Sequence, residues 1–258
     1  MIALLTDFGT RDYFVAEMKA VILSINSNEV IVDITHEVPP QEVGIGAFIL
    51  WRAYKWFPKG TIFVAVVDPG VGTSRAPLLL KTKNYFFIGP DNGLLSIAAE
   101  EDGVENAYRL TVRLPESSST FHGRDIFAYA AALLSKGIPP SYLGIETSEY
   151  VKLPKPGAIK EGDVIRGTLI YIDRFGNIFT SIDGNIIKSI ANYGDLLCVK
   201  ISEKIYRIKL LQTYGLAGPG EVLALINSEG FLEIAINRGN AAERLGHKVG
   251  EPIEVYRC

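Results

Sequence analysis

Residues 61–75 read TIFVAVVDPGVGTSR, an uncharged run rich in β-branched residues that stops abruptly at Asp68-Pro69-Gly70. A strand with one wet face alternates apolar and polar side chains, whereas a continuous apolar run suits a strand covered on both faces, the usual state in parallel sheets. Thr61–Val67 is therefore read as a strand near the centre of a mainly parallel sheet. The loop that follows lies beyond a strand's carboxyl end, where open α/β sheets bind their ligands.

Working outward, the pattern repeats. Met1–Thr6 reads as a buried strand, Tyr13–Ile25 as a helix, Val30–Ile34 as a strand and Gln41–Trp56 as a second helix, which together make βαβ units. Leu78–Lys83 and Tyr85–Ile88 flank a Lys-Asn turn, and Arg124–Leu134 is helical until Gly137-Ile138-Pro139-Pro140 stops it. The segment LPKPGAIKEG, residues 153–162, concentrates Pro, Gly and Lys, and short strands dominate after it. Val164–Ile172, Asn177–Ser181, Leu196–Ile201, Ile205–Leu210, Val222–Ile226 and Leu232–Ile236 recur at barrel-like spacing. The expectation is an α/β domain over residues 1–155 and a smaller β-barrel domain over 156–258.

Composition narrows the function. The 258 residues are 48% hydrophobic and 21% charged, which suits a filled core and argues against disorder. Net charge is −3, and no basic stripe is present to follow a phosphate backbone, so nucleic acid is not an expected partner. The opening MIALLTDFGT reaches an acid after a few apolar residues, too soon for a signal sequence or a membrane span. Cys198 and Cys258 show neither metal-ligand spacing nor a paired framework, and are read as free thiols of a reducing, cytoplasmic compartment.

The chemistry-bearing residues gather where the first-half strands end. Asp7 and Asp12 follow strand one, and Asp68 and Arg75 bracket the Gly-rich loop after Thr61–Val67. Asp12 is either a helix cap or a ligand, and the Asp7/Asp12 pair suits ribose hydroxyls and an ammonium group or a divalent metal. Taken as an arbitrary pair, Asp68 and Arg75 read first as a structural salt bridge. The Gly-rich loop lacks the Lys-Ser/Thr ending of a P-loop and the spacing of a dinucleotide fingerprint. His122 and Gly123 directly precede a helix, and His36 and His247 lie far away, so no histidine cluster suggests a metal. In the second half Asp173–Asn177 reads as a hairpin turn, as do Asn227–Gly230 and Asn237–Ala242, unless a partner lies across a cleft.

Taken together, TDFGTRDYFVAEMK, VDITHEVPP, VVDPGVGTSR, FHGRDIFA, IDRFGNIFT and INSEGFLEIAINRGNAA resemble, in order, the motifs of the S-adenosylmethionine hydroxide adenosyltransferases, relatives of the fluorinating and chlorinating S-adenosylmethionine enzymes. The resemblance runs from Leu4 to about Ala242. It implies an N-terminal α/β domain, a C-terminal β-barrel, and a homotrimer with sites between the N-domain of one subunit and the C-domain of the next. It also implies attack of water on the ribose 5′ carbon of S-adenosylmethionine, giving adenosine and methionine, with no metal or redox cofactor.

Carried over by position, the resemblance puts Asp68, Arg75 and His122 around the attacking water. Asp7 falls on the ribose diol, Asp12 and Asp173 near the methionine ammonium, Asn177 on the adenine edge, Phe179 and Tyr214 on its faces, Ser228 on the methionine carboxylate and the Ala241 backbone on adenine. The halogenating relatives carry Tyr where this chain has Asp68, a carboxylate that would repel a halide. They also carry Arg after the serine, where this chain has Glu229. Arg238 is the substitute cation if its loop folds back. Two other readings keep the same ligand: a halide-using enzyme, and an adenosine or S-adenosylmethionine sensor without turnover.

Overall fold

The computed structural model describes residues 1–258 and divides into two compact units, Met1–Pro154 and Lys155–Cys258. In the first, seven strands form one sheet: β1 (Ile2–Thr6), β2 (Ile31–Thr35), β3 (Ile62–Val66), β4 (Pro77–Thr82), β5 (Phe86–Pro90), β6 (Val104–Leu110) and β7 (Gly144–Thr147), in the order β2-β1-β3-β5-β4-β6-β7. The pairings β2–β1, β1–β3 and β3–β5 are parallel, and β5–β4, β4–β6 and β6–β7 are antiparallel. The parallel half is the half built by βαβ crossovers, and a tight hairpin turns the chain back at β4 and β5.

Every residue of β3 is buried, as the continuous apolar run requires. One face, with Ile62, Val64 and Val66, packs with Ile2 and Leu4 of β1 against Met18 and Ile22 of helix α1 (Phe14–Ile25). Phe127 and Ala130–Ala132 complete that layer. On the other face Phe63 stacks on Phe87 and meets Phe57 and Tyr85 edge to face. Helix α2 (Val43–Ala53) covers Val67 there, at Gly46, where a Cβ would meet the Leu94 side chain at 2.9 Å. The helix expected from Gln41 starts later because Gln41 has φ 68°, and beyond Ala53 it tightens to a 3₁₀ turn at Tyr54–Trp56. Helix α3 (Ser96–Asp102), with strands β6 and β7, escaped the sequence reading.

The segment expected as one helix from Arg124 is a π-helical turn, Gly123–Ala128, running into α4 (Tyr129–Ser135), and α5 (Pro140–Leu143) starts at Pro140, the second residue of the Pro139-Pro140 stop. A π turn shifts the register of the side chains after His122 and is a frequent device beside functional sites.

The second unit is a closed β-barrel of seven strands. β9 (Val164–Ile172), β10 (Ile178–Asp183), β14 (Phe231–Ile236), β13 (Val222–Ile226), β12 (Lys204–Leu210), β11 (Leu196–Ile201) and β15 (Pro252–Arg257) follow one another, and β9 pairs with β10 to close the ring. β8 (Ile159–Glu161) extends β9, and the short helices α6 (Gly184–Lys188) and α7 (Ala241–Leu245) sit between strands. Closure removes free sheet edges and fills the interior with Ile165, Leu197, Val199, Ile208, Leu232, Ile234 and their neighbours.

The two cysteines are not free. β15, unseen in the sequence pattern, lies antiparallel to β11, and Cys198 is disulfide-bonded to Cys258 with their Cα atoms 5.1 Å apart. A separation of 60 residues hides this neighbourhood from any reading of local spacing.

Candidate active site

Because β1 and β3 are parallel neighbours, their carboxyl ends leave the sheet side by side, and so do the loops Asp7–Asp12 and Asp68–Arg75. They meet the loop before the π turn around a cavity of about 450 Å³. Phe8, Phe14 and Phe121 form one wall, with ring centroids 5.3–5.8 Å apart, and Asp7, Asp68 and His122 supply its polar points.

The three residues of the expected triad are in direct contact. Arg75 Nε donates to Asp68 Oδ1 at 3.0 Å, and its Nη2 donates to Asp68 Oδ2 and lies 3.1 Å from His122 Nδ1. Both members of the ion pair are buried, with side chains 5% and 8% exposed, so the fork of two charge-assisted bonds holds the carboxylate in one orientation. A guanidinium only donates, so His122 Nδ1 accepts and the neutral ring carries its hydrogen on Nε2. Burial and then the Arg75 charge push the His122 pKa below its ordinary value; Asp68 pulls the other way, and Arg113 and Asp125 add smaller opposed effects. The shift favours the neutral imidazole. Arg75 Nη1 is buried without a hydrogen-bond partner in the protein.

The loop carrying His122 is tied from below. The fully buried Asp125 accepts from the Ser118 backbone at 2.6 Å and from Arg124 Nε at 2.7 Å. Gly72, at φ 76°, lets the Asp68–Arg75 loop touch the same segment: a Cβ there would stand 2.6 Å from the Ser119 carbonyl oxygen. The other histidines serve packing. His36 Nδ1 bonds Thr6 Oγ1 at 2.8 Å, and His247 lies between Tyr206 and Glu251. No group of three or more His, Cys, Asp and Glu residues is arranged to hold a metal ion.

Asp7 lines the cavity and accepts from the Gln41 backbone at 2.8 Å, which holds the Pro39–Gln41 turn over the site. Asp12 is exposed, does not line the cavity, and does not cap α1, whose N-cap position is Tyr13 without a side-chain bond.

In the barrel unit the hairpin residues line two further cavities. Asp173 and Tyr214 belong to both; Asn177 and Arg238 line one, and Phe179, Ser228 and Glu233 the other. Asp173 Oδ1 accepts from the Phe175 and Asn177 backbones and its Oδ2 from Asn177 Nδ2, so the turn itself fixes that acid. Gly176, at φ 82°, presses against Asn240, which caps α7. Arg238 reaches the Asp173 cavity but not the one that holds Ser228. Ala241 is fully buried at the start of α7 and lines neither.

The profile of the SAM hydroxide adenosyltransferase N-terminal domain matches residues 2–144, and that of the C-terminal domain matches residues 167–254. The chain belongs to this family. Among SAM hydroxide adenosyltransferase relatives, (R)-S-adenosyl-L-methionine hydrolases from Thermus thermophilus and Methanocaldococcus jannaschii are 35% and 37% identical over 97% and 99% of this chain and 97% and 95% of their own lengths. A fluorinase from Actinopolyspora mzabensis is 30% identical over 100% of the chain and 97% of its own length. The crystal structure of an uncharacterized conserved protein from Thermotoga maritima superposes with a TM-score of 0.94 at 39% identity, covering 100% of both chains.

One buried acid was missed in the sequence. Glu233, 1% exposed, accepts from Tyr214 Oη at 2.7 Å and from Asn227 Nδ2 at 3.1 Å. Burial raises its pKa, the Asp173 charge adds to the rise, and the two hydrogen bonds oppose it. The Tyr214 hydroxyl is pushed up by burial and by Glu233. A signal existed: a lone charge interrupts the apolar strand Phe-Leu-Glu-Ile-Ala-Ile, where burial is expected to exclude it.

Proposed function

We propose that this chain hydrolyses S-adenosyl-L-methionine to adenosine and L-methionine by in-line attack of water on the ribose 5′ carbon. The observation that carries this reading is the Asp68–Arg75–His122 constellation, a buried ion pair whose arginine also bonds the histidine, with Asp68 and His122 at the wall of an aromatic cavity. Four relatives named (R)-S-adenosyl-L-methionine hydrolase, at 35–37% identity over nearly the whole chain, support it.

A sulfonium is already a good leaving group, so catalysis here consists of orienting a water and accepting its proton. Arg75 fixes the Asp68 carboxylate, and the depressed His122 pKa keeps the ring available as a neutral partner. The new bond joins the water oxygen to carbon 5′; the carbon–sulfur pair stays on sulfur; the proton goes to the Asp68–His122 pair. Asp7 binds the ribose diol. Asn177, Phe179 and Tyr214 bind adenine, and Asp173 and Ser228 bind the methionine end. The working unit is a cytoplasmic homotrimer in which neighbouring subunits complete each site, with no metal or redox cofactor. No helix is long and apolar enough to cross a membrane.

The test is turnover of S-adenosylmethionine in oxygen-18 water, with and without chloride, read by mass spectrometry. Adenosine labelled at its 5′ oxygen, formed regardless of halide, is the expected product. Unaltered S-adenosylmethionine, or a 5′-chloro product that depends on halide, would overturn the reading.

A further inference from the structure

A second cavity, of about 480 Å³, shares a wall with the first. His122 lines both, whereas Asp68 faces only the first and Arg75 only the second. Their chemistry differs. The first is walled by aromatic rings and aliphatic side chains, the second by Thr73, Ser74, Arg113, Ser118 and Ser119 around the Arg75–His122 pair. The close approach of Gly72 to Ser119 brings the two loops together beside that pair. Arg75 Nη1, buried and unpartnered within the protein, is a strong donor in need of an oxygen.

The reaction proposed above, on which this inference rests, has a balance that bears on such a chamber. A sulfonium cation and a water become adenosine, a neutral thioether and one proton, so each turnover brings in a water and expels a proton. A substrate seated against Asp68 would fill the first cavity, which leaves the second as the open approach to Arg75 and His122. We propose that the second cavity is the water chamber of the hydrolysis. Its water, held by the hydroxyls and guanidinium groups, supplies the nucleophile past Arg75, and the proton taken up by the Asp68–His122 pair is discharged there from the imidazole. Nothing is oxidised or reduced, and the only species exchanged are water and its proton.

The test fills the chamber in protein that is already folded. The two native cysteines are joined to each other, so Ser74→Cys, on the chamber wall, adds a single reactive thiol. Separate samples of the folded protein are labelled with methyl or with benzyl methanethiosulfonate. With the larger adduct, kcat for adenosine formation is expected to fall about tenfold or more at unchanged KM, the signature of a group needed only for the chemical step. The solvent deuterium isotope effect on kcat should rise with adduct size. Thr111→Cys, elsewhere on the same wall, should behave alike. Equal kcat for both adducts would overturn the chamber, as would a rise in KM at constant kcat, which would make the cavity part of the substrate site. Failure of the unlabelled protein to form any adenosine would instead overturn the hydrolase reading, and the chamber with it.

Discussion

The two units bury acids in opposite ways. In the α/β unit Asp68 is neutralised by a bidentate arginine, and the only neutral partner nearby is a histidine with a depressed pKa. In the barrel Glu233 has no cation within bonding range: a phenol and an amide hold it, Asp173 raises its pKa further, and Asp173 is itself held by amides of its own turn. A compensated charge is a rigid tool for handling a neutral water. Uncompensated acids lining a cavity are built for a ligand that brings its own positive charge, as S-adenosylmethionine does at sulfur and at its ammonium group.

The largest effect expected from breaking this contrast is at the compensated acid. Asp68→Asn keeps the shape but removes the proton acceptor, and kcat should fall by about 10²–10⁴-fold while S-adenosylmethionine still binds, as read by single-turnover kinetics and calorimetry. If kcat survives, the ion pair is structural and the contrast fails. Glu233→Gln tests the other side. It keeps hydrogen-bonding capacity toward Tyr214 and Asn227 but removes the charge, so KM should rise, by about tenfold for the loss of one charge-assisted contact, with kcat little changed. A change in kcat alone would make Glu233 part of the chemistry instead.

Two smaller effects sharpen the picture. Arg113→Met removes a charge that depresses the His122 pKa, so the acid limb of the rate profile should move to higher pH, and Arg113→Lys should restore it. The sign for stability follows from the same direction. His122 has a folded pKa below its unfolded value, so it costs nothing above the ordinary histidine pKa and destabilises progressively as pH falls through that value. Chemical denaturation at a series of pH values checks it. Reducing Cys198–Cys258, or Cys198→Ser, should lower barrel stability by about 2–4 kcal/mol in urea while leaving kcat unchanged, because the bridge ties β11 to the chain end and neither cysteine lines a cavity of the site.

Strong periodic signals made much of the fold legible. The continuous apolar run at Thr61–Val67 and the alternation of runs and helices before it specified βαβ units, because burial on two faces leaves no other composition for a strand. Six of the barrel strands were visible because short runs rich in branched apolar residues recur at regular spacing, although strands such as β12 bury only one face. β15 and β6 were not, since both carry polar residues on exposed positions and sit among other polar segments, and without β15 the pairing of Cys198 with Cys258 was invisible.

At the site, the sequence alone determined which residue types stand at the ends of the parallel strands, and its ordered motifs pointed to the family. Only tertiary structure decided that Arg75 spans Asp68 and His122 across 47 residues, that Asp12 stands apart from the cavity, and that Glu233 is buried against Tyr214. The physical reason is range. Periodicity and turn chemistry act over a few residues, whereas a hydrogen bond between loops, like a pKa set by burial, depends on which distant segments the core brings together.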